Sequence, residues 1–181
     1  MSSSNKERFR LTKKRMDCGD CDAFVMMGSV YYQGTKEVKQ DWEKAIELWQ
    51  KAVDLGSDLA HYYLGVAYAN GQGVEKDEDK SLYHYRRAAI GGVLVARYTM
   101  GHLANKSKNT MVAVKHFVIA TEAGHDDSLS CLKKCYEQGA VKKDVFEKAV
   151  RAHKAACDEQ KSDDRVAAAE ERKRMGLLGR L

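Results

Sequence analysis

Small and apolar residues recur at helical spacing between residues 60 and 92. Four of them lie on one stripe of a first helix: Ala60, Leu64, Ala67 and Tyr68. The same spacing returns in a second stretch: Ser81, Tyr85, Ala88 and Ala89. Between the two stretches, Gly71 and Gly73 predict a loop, and Asp77 suits the N-cap of the second helix. The pattern therefore predicts a helix-loop-helix unit, which needs neighbours of its own kind to bury both stripes.

The same unit recurs along the chain. Its leading small residue returns at intervals of 37, 36 and 32 residues, at Ala23, Ala60, Ala96 and Ser128. A glycine follows five residues later in three copies, as Gly28, Gly65 and Gly101, whereas the fourth copy has Lys133. A glycine inside a helix costs about 1 kcal/mol relative to alanine, so this repetition indicates close helix contact. We expect Gly65 to admit its paired helix near Ala88 and Ala89.

The second copy reads A-x3-L-G-x2-Y-x2-G-x-G-V-x2-D-x2-K-x4-Y-x2-A-A-x2-G. This pattern resembles the Sel-one-like repeat (SLR), a relative of the tetratricopeptide repeat. The first copy keeps most of it, the third lacks the G-x-G-V loop, and the fourth is degenerate. The resemblance implies an all-α protein, a right-handed α-solenoid of about four SLR repeats. It also implies a non-enzymatic scaffold or adaptor that binds protein partners.

We expect three segments along the chain. A basic arm would cover residues 1–17, the repeat array 18–160, and a C-terminal helix extension with a tail 161–181. Within the array the repeats would span 22–57, 58–93, 94–125 and 126–160. Asp144 and Glu147 resemble a capping box for the last helix, whose charged, alanine-rich continuation after Asp158 predicts a long polar helix that caps the array. The sequence M-G-L-L-G-R-L from Met175 to Leu181 would form a frayed tail.

A second flank of the first helix in each repeat is a candidate partner-binding surface. Steps of about 100° per residue place Tyr62, Val66 and Asn70 together, away from the core stripe. We expect this flank to line the concave face of the solenoid. The equivalent residues of the first and third copies are Val25, Tyr32 and Gln33, and Tyr98, His102 and Asn105. Tyrosine suits recognition, although the alternative that these tyrosines only cover seams between helices remains open.

The net charge of +5 lies in the arm, since residues 1–15 hold six basic side chains against one acid, Glu7. This arm gives a second function class, nucleic-acid binding or a weak nuclear address, beside the simpler interpretation of a solvated leader. No apolar run approaches the roughly 18 residues of a membrane helix, and the polar start is not a signal peptide. We therefore expect an intracellular, cytoplasmic protein with no membrane partner.

The five cysteines are an odd number, which favours reduced thiols. Cys18 and Cys21 form a C-x2-C spacing and give a third class, a metal-binding or thiol-redox protein. Zinc requires further ligands and a redox motif normally follows a strand, so this class is the alternative. The chain has no nucleotide, hydrolase or metalloprotease motif, and the histidines show no metal spacing. We expect no enzyme activity, no cofactor, no metal and no small-molecule substrate.

Overall fold

The structure, a computed structural model, describes the backbone of residues 3–178 and the side chains of residues 7, 9–164, 166, 167 and 170. Within this range the chain forms nine α-helices and no strand, which confirms the all-α prediction. The helices are α1 Ser3–Asp17, α2 Cys21–Gln33, α3 Trp42–Asp54, α4 Asp58–Asn70, α5 Glu78–Ile90, α6 Leu94–Lys106, α7 Thr110–Glu122, α8 Asp126–Glu137 and α9 Lys143–Leu178. Residues 179–181 of the predicted tail lie outside the described residues, and the preceding part continues α9.

The helices fall into two compact units, Met1–Met100 and Gly101–Leu181. In the first unit α2 packs against α3 and α4 against α5, while α3 also contacts α4. In the second unit α7 contacts both α8 and α9. The stripes predicted for residues 60–92 are buried, except that Tyr68 is half-buried. Helix pairs therefore form the core where the spacing of small residues predicts it.

The repeated glycines each face an aromatic ring of the paired helix. A Cβ atom built on Gly65 would lie 2.7 Å from the Tyr85 ring. The same construction on the equivalent glycines gives 2.5 Å from Trp49 at Gly28 and 2.5 Å from Phe117 at Gly101. The predicted close approach at Gly65 is therefore confirmed, but its nearest neighbour is Tyr85 rather than Ala88 or Ala89. The glycine is needed because the ring occupies the space of a side chain.

Side-chain caps set the starts of most helices. Asp77 accepts a hydrogen bond from the backbone N–H of Lys80 at 2.9 Å, as expected of an N-cap, and Asp41 caps α3 through Lys44 in the same way. The last helix differs. It begins at Lys143, so Asp144 lies within the first turn and is not the N-cap that the capping-box pattern predicted. The predicted long C-terminal helix is confirmed, because α9 continues to Leu178.

The basic arm contains a helix, α1, which packs against α2. Phe9 and Met16 are half-buried, whereas Lys13, Lys14 and Arg15 are exposed. Charge composition alone did not indicate this helix, since the apolar residues that hold it are few and widely spaced. The arm is therefore in contact with the first repeat and is more than a solvated leader.

Candidate functional site

Five aromatic rings of the first unit follow one another in contact, and we call them the aromatic row. They are Tyr32, Trp49, Tyr63, Tyr62 and Tyr85. Successive ring centroids lie 5.2, 4.9, 5.5 and 5.9 Å apart, and Trp49 and Tyr63 are stacked. Trp49 and Tyr85 are buried, while the other three rings are half-buried. The row thus passes through the core and reaches the surface at Tyr32, Tyr62 and Tyr63, on the first helices of two repeats.

Hydrogen bonds hold two neighbouring members of the aromatic row, Trp49 and Tyr32, in place. The Trp49 indole N–H donates to the backbone oxygen of Val25 at 3.3 Å, which holds α3 against α2. The Tyr32 hydroxyl donates to the side-chain oxygen of Gln72, and the Asn70 amide donates to the same oxygen at 3.2 Å. Gln72 lies in the loop between Gly71 and Gly73, a position that the repeat pattern leaves variable. Its role could not be read from the sequence.

Burial raises the pKa of two tyrosines of the row, Tyr62 and Tyr85. Burial raises the pKa of Tyr62, and the neighbouring Tyr63 raises it further. Burial also raises the pKa of Tyr85 to about 12. Their hydroxyl groups therefore remain neutral near pH 7 and can act as hydrogen-bond donors.

The predicted surface residues of α4 lie near one end of the aromatic row. Tyr62 and Val66 are half-buried and Asn70 is exposed. Tyr63, which the sequence analysis did not select, joins Tyr62 to Trp49. Its stacking on Trp49 depends on how two helices are offset along their axes, and helical periodicity carries no signal for that offset.

The residues of the first copy divide into two kinds. Tyr32 is half-buried and Gln33 is exposed, as a binding surface requires. Val25 differs from the expectation, because its side chain is 4% exposed and belongs to the core cluster with Trp49 and Leu64. It can therefore contribute little surface to a partner.

The third-copy residues all lie on α6. Tyr98 is half-buried in the first unit. His102 and Asn105 are exposed and belong to the second unit, where the His102 ring lies edge-on to Phe117 with centroids 5.4 Å apart. The sequence thus places a tyrosine, a histidine and an amide on one helix.

A groove with a volume of about 570 Å³ lies beside this surface in the first unit. Its walls include Phe9 of α1, Met26 of α2, Val38 of the first loop, and Leu59 and Tyr63 of α4. The groove is predominantly apolar, with few polar groups in its walls. The sequence analysis did not predict this groove, because one of its walls is α1, a helix that the charged composition of the basic arm did not indicate.

Residues that could hold a metal ion lie elsewhere in the chain. Among the side chains that the structure describes, one group of three ligand atoms converges, from Asp126, His153 and Cys157, all within 4.8 Å of one another. Cys18 is exposed and Cys21 is half-buried, and neither belongs to this group. The metal or redox alternative based on that cysteine pair gains no support.

The arm likewise gives no support to the nucleic-acid alternative. Arg15 is paired with Asp20, with Nε and Oδ2 2.8 Å apart, and Arg10 lies 3.6 Å from Glu7. Two of its cations are thus engaged within the chain.

No helix within residues 3–178 combines the length and the apolar character that a membrane span needs.

Comparison with protein families identifies the repeat. The Sel1 repeat model matches residues 23–57, 58–93 and 129–159, together more than half of the chain. The chain belongs to the Sel1 repeat family. The predicted resemblance to SLR proteins is confirmed, and the unmatched residues 94–128 include the copy that lacks the G-x-G-V loop.

Curated relatives share parts of this Sel1-repeat chain. Chitin synthase regulatory factor 3 of Schizosaccharomyces pombe is 27% identical over 125 residues, 65% of this chain and 13% of that protein. DAP3-binding cell death enhancer 1 of Rattus norvegicus is 30% identical over 94 residues, 50% of this chain and 18% of that protein. The Sel1-repeat-containing protein YjcO of Escherichia coli is 32% identical over 83 residues, 44% of this chain and 36% of that protein. The chain therefore spans about a third or less of each of these relatives.

Solved structures confirm the fold class. A Sel1 repeat protein from Oxalobacter formigenes is 30% identical, with a TM-score of 0.59 over 68% of this chain and 95% of that one. The protective antigen c5321 of uropathogenic Escherichia coli, which displays an SLR fold, is 27% identical, with a TM-score of 0.66 over 83% of this chain and 33% of that one. The chain has the all-α SLR fold of the α-solenoid class, as predicted.

Proposed function

We propose that this chain is a non-enzymatic adaptor that binds a protein partner on the first helices of its repeats. Sel1-repeat proteins generally mediate protein–protein interactions. The observation that carries the proposal is the aromatic row, whose half-buried rings Tyr32, Tyr62 and Tyr63 reach the surface. In the first unit the proposed surface consists of Tyr32, Gln33, Tyr62, Val66, Asn70 and Tyr98.

The chemistry of these residues suits a protein partner. Each half-buried tyrosine offers an apolar ring face together with a hydroxyl group, and its ring is already held by its neighbours. The tyrosine therefore loses little side-chain entropy when a partner packs against its ring. Gln33 and Asn70 are exposed and supply polar groups at the edge, so the surface combines aromatic anchors with a polar rim.

The names of relatives support the same class of function. DAP3-binding cell death enhancer 1 is named for a protein that it binds. HRD3A of Arabidopsis thaliana, 33% identical over 67 residues, 37% of this chain and 10% of that protein, is a component of an E3 ubiquitin-protein ligase. We propose a comparable binding role for this chain, with a partner that is a protein and with no membrane, cofactor or small-molecule substrate. We further propose a cytoplasmic location.

The test begins with site-directed crosslinking followed by mass spectrometry. A photo-reactive phenylalanine analogue replaces Tyr62 in one protein and Tyr83 in another, because Tyr83 is also a tyrosine and is 57% exposed on α5. We expect a protein partner to be crosslinked from position 62 and not from position 83. Equal crosslinking from both positions would contradict a defined surface on the first helices.

Affinity measurements with the captured partner then complete the test. Tyr62→Ala and Tyr98→Ala should each weaken binding by roughly 1–2 kcal/mol, the loss typical of interface anchors, while Tyr83→Ala should not. Circular dichroism must show that each variant keeps its helices. Unchanged affinity in the Tyr62→Ala, Tyr98→Ala double variant would move the site to α1, to the second helices or to α9.

A further inference from the structure

A carboxylate, an imidazole and a thiol converge in the second unit, where the turn between α7 and α8 faces α9. Asp126 Oδ1 lies 3.1 Å from His153 Nε2, and Cys157 Sγ lies 3.9 Å from the same nitrogen. All three candidate ligand atoms lie within 4.8 Å of one another. The carboxylate and the imidazole are thus close enough to share one ion, and the thiol lies beside them.

The helices hold these side chains in place. His153 and Cys157 are four residues apart on α9 and therefore share one face of the helix. Asp126 is the first residue of α8, directly after the N-cap His125. A Cβ atom built on Gly124 in the same turn would lie 3.8 Å from Cys157 Sγ, so the turn packs directly on the thiol. The three groups thus come from two regular elements, which limits their movement.

The position of His153 within the repeat is unusual. The other three copies have a small residue, then an aromatic residue four positions later and alanine three positions after that. The aromatic residues are Trp49, Tyr85 and Phe117, and the equivalent of these rings in the pattern from Ala149 to Ala156 is His153. His153 is 9% exposed. A buried imidazole needs a partner for its ring nitrogens, and here it has both a carboxylate and a thiol within reach.

We propose that Asp126, His153 and Cys157 bind a zinc ion, with a water molecule as the fourth ligand. Zinc at its usual bond lengths and tetrahedral angles separates a nitrogen from an oxygen ligand by about 3.4 Å and from a sulfur ligand by about 3.6 Å. The observed distance of 3.1 Å between Asp126 and His153 is a few tenths of an ångström below the first value. Cys157 Sγ lies 3.8 Å from His153 Nδ1 and 3.9 Å from Nε2, so binding requires the thiol to turn towards the Nε2 side of the ring. Thiolate and imidazole together favour zinc over magnesium or calcium. The Asp126 side chain is 89% exposed, which gives the fourth ligand access from solvent.

The competing explanation is an ion pair between Asp126 and His153 with no metal. Cobalt(II) distinguishes the two, because a thiolate bound to tetrahedral cobalt gives charge-transfer and visible absorption bands. The full chain is used with Cys18→Ser and Cys21→Ser, so that this pair cannot bind the added metal. We expect one cobalt or zinc ion per chain and displacement of cobalt by zinc. Asp126→Asn and Cys157→Ser should each weaken binding by at least about tenfold.

Two matched variants serve as controls. Asp127→Asn removes the neighbouring exposed carboxylate, and Cys131→Ser removes a half-buried thiol of α8. Both should bind cobalt with the affinity and spectrum of the parent. Asp126 is exposed, so Asp126→Asn decides the question even if Cys157→Ser fails to fold. No stoichiometric binding, no thiolate band, or an affinity unchanged by Asp126→Asn would overturn the proposal.

Discussion

The second and the last helix pairs follow one repeat pattern but use two of its positions differently. In the α4/α5 pair, Gly65 makes room for the Tyr85 ring. In the α8/α9 pair the glycine position holds the exposed Lys133, and His153 replaces the aromatic residue. Glycine and ring thus occur together or are both absent. The repeat pattern determines which position is buried. The residue at that position can be an aromatic ring that packs against glycine or a polar side chain that makes polar contacts.

Each of these two pairs also contains a buried histidine with a different partner. In the second repeat His61 lies against His84, with their Nδ1 atoms 2.9 Å apart. In the fourth repeat His153 lies against a carboxylate. A second imidazole disfavours a positive charge on the first. The stability of the second repeat should therefore depend on pH.

The largest effect is expected at the glycine position. Gly65→Val should lower the free energy of unfolding by about 1–3 kcal/mol, because its side chain would overlap the Tyr85 ring and force that ring to move. Lys133→Val introduces valine at the equivalent position of the fourth copy. It should change stability by no more than about 0.5 kcal/mol, since that side chain is exposed.

Urea denaturation of the two variants and the parent measures this difference. Equal losses in both variants would contradict a specific role of the ring beside Gly65, because helix propensity alone favours valine over glycine at that position. An unchanged stability of Gly65→Val would contradict the importance of the glycine-ring contact.

A smaller, pH-dependent effect is expected from the histidine pair. Burial, and then the charge of His61, lower the pKa of His84 from 6.5 to about 4. Burial is also the main cause of the lowered pKa of His61, followed by Arg87. The unfolded chain therefore binds these protons more readily than the folded chain. The stability from the pair is complete above about pH 6.5 and decreases as the pH falls towards about 4.

Because His84 is only half-buried, we expect a loss of about 1–2 kcal/mol over this interval, less than the full shift would give. His84→Phe removes one of the two proton-binding rings and should reduce the pH dependence of the free energy of unfolding. The other histidines are unchanged in that variant, so subtracting its pH profile from that of the parent isolates the pair. Identical profiles would exclude His84 as the source.

The smallest effect is expected outside the repeats. Cys18→Ser with Cys21→Ser should change the free energy of unfolding by no more than about 0.5 kcal/mol, because one thiol is exposed and the other is half-buried. Thermal melts of metal-free protein provide the measurement. A larger loss would show that the two thiols contribute to the packing of the folded chain. Zinc that disappears from the purified protein with this pair would assign to Cys18 and Cys21 the role proposed for Cys157.

Periodicity was sufficient to predict the helix pairs but not the contacts between them. Spacing identifies which residues face the core, so the stripe around Leu64 is buried as predicted. It does not specify which ring of α5 lies over Gly65, because that depends on the axial offset of two helices. The same limit explains why Tyr63 was missed. Val25 differs from the expectation for a related reason, since its side chain packs in a core cluster with residues of α3 and α4.

The proposed zinc ligands could be found only in part from the sequence. His153 and Cys157 show the spacing of one helix face, which helical periodicity alone assigns to the core. Asp126 is more than twenty residues earlier in the chain, and it reaches His153 only after α9 has packed against α7 and α8. A ligand contributed by another element requires tertiary structure.

The aromatic row gives the protein a built-in optical probe of its first half. Both tryptophans of the chain, Trp42 and Trp49, lie in the first unit, and two tyrosine rings lie about 5 Å from the buried indole and can transfer excitation to it. Tryptophan emission therefore monitors the melting of residues 1–100, whereas far-ultraviolet circular dichroism averages over all helices. Coincidence or separation of the two unfolding curves measures whether the halves of the array unfold as one cooperative block.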